Sequence, residues 1–165
     1  MKNFISLING QFKDQLSVLD RGVSYGDGFF ETMKWSYSRN RKHSGVEFWK
    51  RHVKRIKKTS KILGIKLPKT KILDEYKSII LDKAKQNGYS NGILKIIITR
   101  GVGGRGYRYE EDMLPTIIFL VFPSVSNFKN DINLKFCSTS LSENKVLAGL
   151  KHLNRIDSVI ARSEW

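Results

Sequence analysis

The chain has 165 residues, 40% of them apolar and 11% aromatic, which suits a core-forming domain and excludes both a disordered segment and a large multidomain enzyme. Thirty Lys and Arg oppose fifteen Asp and Glu, and the formal charge of +15 favours anionic partners without choosing among nucleic acid, acidic membrane, phosphorylated cofactors and carboxylates. Cys137 stands alone, which excludes an intrachain disulfide, and no Cys/His spacing supports a metal site. The first ten residues hold only a handful of apolar positions, too few for a signal-peptide core, and no run is long enough to span a bilayer. The expectation is a reduced, cytoplasmic protein.

Residues 4–8 alternate toward a strand and run into Asn9-Gly10, a hairpin dipeptide, with 11–13 expected to return. Asp20 to Gly28 reads as a turn-rich loop. Phe29 to Tyr37 has the aromatic content of a strand, and a polar, cationic turn to Gly45 leads into a short strand at 46–48. Trp49, Val53, Ile56, Ser60 and Leu63 recur at helical spacing, with Lys50, Arg51, Lys54, Lys57, Lys58 and Lys61 around the rest of the cylinder and Gly64 at the stop. A second helix is predicted over about 69–86, with Ile72, Tyr76, Ile79 and Ile80 on its stripe and Asn87-Gly88 as the break. Two apolar runs, 93–99 and 115–122, suit buried strands separated by a loop at 100–114. Residues 124–131 form a polar connector, 134–139 one more strand, and 155–165 the start of a helix. The fold class is therefore α+β, with one domain at 1–123, the connector, and the opening of a second domain at 132–165.

Three stretches carry possible chemistry. Gly101 to Gly106 satisfies G-x-G-x-x-G after a strand, yet no helical period follows to aim amides at a pyrophosphate, and no acidic residue waits about twenty residues on for a ribose; a dinucleotide site is rejected. With Arg100, Arg105 and Arg108, that loop suits a carboxylate or phosphate, or is a solvated hairpin loop. The basic helix 49–64 could track a nucleic-acid backbone, but its charges are spread around the cylinder and no nucleic-acid fingerprint accompanies them, so a solvated face is expected. Lys151, between Leu150 and His152, is where desolvation and neighbouring cations would favour a neutral, nucleophilic amine, although most such lysines reach out to water. His43 and His52 have no identifiable partners and read as surface residues.

Four blocks taken together resemble one family: Leu19 to Thr32 (LDRGVSYGDGFFET), His52 to Ile56 (HVKRI), Leu94-Lys95 through Thr99-Arg100-Gly101 to Tyr107, and Leu147 to Arg155 (LAGLKHLNR). In this order they are similar to the fold-type IV pyridoxal-phosphate enzymes, which hold branched-chain and D-amino-acid aminotransferases and aminodeoxychorismate lyase. The last two blocks resemble the lyases more than the aminotransferases. The resemblance implies that Lys151 carries pyridoxal 5'-phosphate and then moves the proton at the substrate carbon, and that Arg55 grips the cofactor phosphate. Thr32 matches the position whose hydroxyl assists elimination in the lyases, where glycine is usual in branched-chain aminotransferases. Tyr25 matches the pocket wall, and Arg105 the loop that meets a substrate carboxylate. The implied reaction turns 4-amino-4-deoxychorismate into 4-aminobenzoate and pyruvate, a step toward folate, on a small anionic substrate in a homodimer, without membrane or nucleic acid. Members of the family continue into a complete second domain, so 132–165 is expected to be the truncated start of one. This predicts weak cofactor binding, no turnover and exposed apolar surface.

Overall fold

A computed structural model describes residues 4–38, 45–124 and 133–165. Five strands form one antiparallel sheet: β1 (Ile5–Ile8), β2 (Gly28–Ser36), β3 (Gly45–Val46), β4 (Asn91–Thr99) and β5 (Thr116–Pro123), in the spatial order β1-β5-β4-β2-β3. A short helix α1 (Arg21–Tyr25) precedes β2. Helices α2 (Trp49–Leu63) and α3 (Thr70–Gln86) lie between β3 and β4, and α4 (Ile156–Ser163) ends the chain.

One face of the sheet is the core. Phe29, Met33 and Trp35 of β2 alternate inward, as do Leu94, Ile96 and Ile98 of β4 and Ile117, Phe119 and Val121 of β5. Two amphipathic helices close over them: Val53 and Ile56 of α2 are buried beside β2, and Leu73, Ile80 and Ala84 of α3 beside β5 and β1. Both helices end where glycine and Asn-Gly were expected to stop them; Gly64 takes a left-handed φ of 63° and its amide bonds the Ser60 carbonyl. The opposite face, with Phe30, Thr32, Lys95 and Ile97, is only partly covered. It is on this face that the candidate site lies.

Three expectations change. Asn9 and Gly10 do turn the chain, with φ of 50° and 81°, but only Gln11 pairs back to Ile8. The true partner of β1 is β5, because a strand of eight largely apolar residues buries more than Gln11, Phe12 and Lys13 would. The stretch read as a loop at Asp20–Gly28 contains α1, opened by the Asp20 carboxylate accepting from Gly22 N at 2.8 Å and closed at Gly26; five residues are too few to show a period. Residues 134–139 form no strand. Two of their backbone amides, those of Ser138 and Thr139, are taken by the Glu164 carboxylate at 2.8 Å each, so they join no ladder. The expected exposed apolar surface is present there: Phe136 is fully exposed and Leu134 nearly so.

Candidate active site

Lys151 sits in an irregular stretch before α4, and the backbone of β2 fixes it. Phe30 N donates to Lys151 O at 2.9 Å, Leu153 N donates to Gly28 O at 3.0 Å, and His152 bridges to Phe29. Strand alternation puts Lys151 with Phe30 on the open face and turns His152 to the other side. Lys151 Nζ lies 4.8 Å from the centre of the Phe30 ring, and Lys95 Nζ (5.1 Å) and the Arg155 guanidinium (5.6 Å) gather around the same ring. Phe30, Lys151, Arg155, Ser158, Val159 and Arg162 line an open hollow of about 680 Å³. Thr32, exposed, follows Phe30 on this face and is the cross-strand partner of Lys95.

Arg55 reaches β2 from the core side through Glu31, whose carboxylate is buried. Arg55 Nε donates to Glu31 Oε1 at 2.9 Å and Nη2 to Oε2, while Nη1 makes no bond to the carboxylate. The Glu31 hydrogen bond raises the Arg55 pKa against the opposing effect of burial, and the Glu31 charge adds to the rise. His52 is not the partnerless surface residue expected, since its Nδ1 lies 2.8 Å from Glu31 Oε2 and its side chain is only 13% exposed. His43 lies outside the described residues. Phe48, Arg51, His52, Lys54, Arg55 and Lys58 line a second hollow, and the lysines of α2 are exposed, as the expected solvated face requires. Glu31 and Phe30 are neighbours on one strand and project to opposite faces. Lys151 and Arg55 therefore approach β2 from its two sides, beside a stretch of edge that lies between the His152 bridge and β3, which pairs only at Trp35 and Ser36.

The arginine loop is built differently from the expectation. Arg100 is buried: its Nε and Nη2 hold Asp27 at 2.7 and 3.0 Å, and it caps α2 through Leu63 O and Gly64 O. Arg21, which pattern reading passed over, is 3% exposed. It donates to Asp27 and to the carbonyls of Gly106, Tyr107 and Arg108. Burial would raise the Asp27 pKa, but hydrogen bonds from Arg100 and Arg21, with their charges, hold it below the ordinary carboxylate value. Tyr25 is not on the wall of the Lys151 hollow. Its hydroxyl accepts from Gly106 N at 2.8 Å and its ring packs edge-on to Tyr107, so Tyr25 holds the loop. Arg105 is exposed beside Gly106 at the loop's tip. The signal for Arg21 and Asp27 was their place in the Asp20–Gly28 block; nothing in their spacing told that they would meet Arg100. Gly26 ties this block to the lysine segment: with φ 64° it packs against the Asn154 amide, where a Cβ would collide.

The model of the amino-transferase class IV family matches residues 28–165. The chain belongs to this family. Members of the class IV family are pyridoxal-phosphate-dependent enzymes. The chain is 32% identical to an aminodeoxychorismate lyase of Vibrio harveyi over 95% of its own length and 55% of that protein's. It is 30% identical to a putative branched-chain-amino-acid aminotransferase of Methanocaldococcus jannaschii over 94% of itself and 53% of the relative. The crystal structure of 4-amino-4-deoxychorismate lyase from Pseudomonas aeruginosa superposes with a TM-score of 0.79 at 34% identity, covering 97% of this chain and 56% of that one. A branched-chain amino acid aminotransferase from Escherichia coli shares the fold at 19% identity, with a TM-score of 0.76 over 97% of this chain and 56% of the other. The architecture is thus the N-terminal part of the fold-type IV chains, and this chain spans about half the length of the curated relatives it matches. No helix among the described residues is long and apolar enough to cross a membrane.

Proposed function

We propose that the chain serves a pyridoxal-phosphate-dependent lyase that converts 4-amino-4-deoxychorismate to 4-aminobenzoate and pyruvate. The observation that carries the reading is the docking of Lys151 onto the open face of β2, with its Nζ against Phe30 and Thr32 next along that face. The side chains suit the cofactor. Lys151 offers the primary amine that an aldehyde needs, and Arg55 keeps one guanidinium nitrogen uncommitted to Glu31 for a phosphate dianion. When bound, pyridoxal phosphate supplies an electron sink for the substrate carbon.

In this reading Lys151 Nζ holds the cofactor and then takes the proton from the carbon bearing the substrate amine. The Thr32 hydroxyl hands a proton to the departing ether oxygen and takes one back from the Lys151 ammonium; the group leaves as enolpyruvate, which tautomerises to pyruvate, and the ring becomes aromatic. Arg105, exposed on the loop that Tyr25 holds, is the residue that meets a substrate carboxylate in this reading, and Tyr25 serves the substrate from that same loop. Lys95, Arg155 and Arg162 give the hollow the positive field that a small dianionic substrate requires. The working unit in this reading is a homodimer.

A branched-chain or D-amino-acid aminotransferase is the second reading, favoured by the Methanocaldococcus relative at nearly the same identity. Thr32 argues against it. Pyruvate release from 4-amino-4-deoxychorismate, assayed beside amino transfer to 2-oxoglutarate, separates the two. Borohydride reduction after incubation with pyridoxal phosphate tests the shared part: label is expected on the peptide carrying Lys151 and absent from it in Lys151→Ala. Label at the same peptide in that variant removes the lysine assignment.

A further inference from the structure

Lys151 has no regular secondary structure to hold it. Residues 145–149 are turns, and α4 begins only at Ile156. The side chain must nevertheless be presented at one place, since a four-carbon stem on a loose loop would sweep the whole hollow. Two backbone bonds to β2 fix the strand side of the segment. On the other side a single guanidinium spans the lysine: Arg155 Nε donates to His152 O at 3.1 Å and Nη2 to Leu150 O at 2.9 Å, the two carbonyls on either side of Lys151. The same group lies 5.6 Å from the Phe30 ring on which Lys151 rests at 4.8 Å. Arg155 also stands at the N-cap of α4, so the grip on the lysine segment and the start of the helix share one residue.

We infer that Arg155 is a positioning residue for Lys151, clamping the flanking carbonyls so that the amine is aimed from the Phe30 ring into the hollow. The inference rests on Lys151 being the lysine that takes the cofactor. The planar fork is essential to it, because a lysine ammonium is a point charge on a flexible stem and does not grip two carbonyls in one fixed geometry. Arg155 touches no reacting atom in this account; its effect passes through the backbone of residues 150–152.

The test uses this chain, its Arg155→Met and Arg155→Lys variants, and pyridoxal phosphate as the probe. The rate at which Lys151 is labelled and trapped by borohydride is compared with that of an exposed lysine on α2, while amide hydrogen exchange is followed at Phe30 and Leu153. Both variants are expected to label Lys151 roughly ten-fold more slowly, as loss of one or two modest hydrogen bonds would give, with the reference lysine and the Leu94 amide unchanged. The Phe30 and Leu153 amides should exchange faster. Unchanged labelling at Lys151 in Arg155→Met overturns the inference, and full recovery in Arg155→Lys overturns the fork. If the parent chain itself shows no preference for Lys151, the cofactor reading fails, and the amides alone decide the clamp: faster exchange in Arg155→Met upholds it, equal exchange ends it.

Discussion

The described residues up to Ser124 and residues 133–165 are held by different forces. The first region closes a sheet under two helices, and Leu7, Ile80, Leu94, Ile98, Phe119 and Val121 are wholly buried. In the second, Leu150 is the only buried side chain, whereas Leu134, Phe136, Leu141, Val146, Ile156 and Val159 are exposed. What keeps the second region in place is polar and backbone-directed: the strand-like bonds at Phe30 and Leu153, the Arg155 fork, and Glu164 receiving residues 138 and 139. The lesson is that the lysine is carried by the weaker region and located by the stronger one.

The contrast is sharpest in the core. Leu94→Ala should cost about 2–5 kcal/mol through lost transfer energy and a cavity, read from the urea midpoint of the whole chain. A shift no larger than that of a surface change would mean that the sheet is not the stable unit. Next comes Asp27→Asn, which leaves two buried guanidinium groups without their anion and should cost about 3 kcal/mol. Trypsin should then cut first at Arg105 or Arg108, and a loop that stays resistant would show that Arg21 does not depend on Asp27. Because the folded pKa of Asp27 lies below its ordinary 3.8, its contribution is full above that pH and is lost as pH falls further.

A smaller, local effect is expected at the chain's end. Hydrogen bonds from the Thr139 hydroxyl and the backbone of Ser138 and Thr139 pull the Glu164 pKa down to about 2. A depressed carboxylate stabilises above its unfolded value, here 4.5, and that contribution fades as pH drops through about 2. The Ser138 and Thr139 amides should lose protection in acid while Leu94 keeps its own; simultaneous loss would merge the two regions into one cooperative unit. The least effect belongs to Leu134→Ser, at most about 0.5 kcal/mol, since that side chain already faces water. A larger destabilisation would reveal a contact that covers it.

Much of this was legible in one dimension. The helical period of 49–63, the apolar runs of β4 and β5 and the stops at Gly64 and Asn87 follow from short-range rules, because burying an apolar stripe leaves few other ways to arrange it. Lys151, Arg55 and Thr32 were named from their motif blocks. Less could be read of their surroundings. The loop pattern offers Arg100 to a carboxylate or phosphate, whereas it is buried on Asp27; the helical period leaves His52 on the surface, whereas it shares Glu31 with Arg55; and the motif block does not tell that the Tyr25 hydroxyl accepts from the Gly106 amide. Each of these partners lies many residues away, and polar pairing across such separations leaves no periodic trace.

By itself, then, the sequence determined the long elements, α2, α3, β2, β4 and β5, and which residue types are available for chemistry, since local sterics and hydrophobic period act over a few residues. Only the tertiary structure decided that β1 pairs with β5, that Arg21 spends its donors on the loop, and that Lys151 lies on the face of Phe30 while Arg55 comes from the face of Glu31. Those outcomes depend on which polar groups are forced out of water together, and that is known only once the sheet has closed.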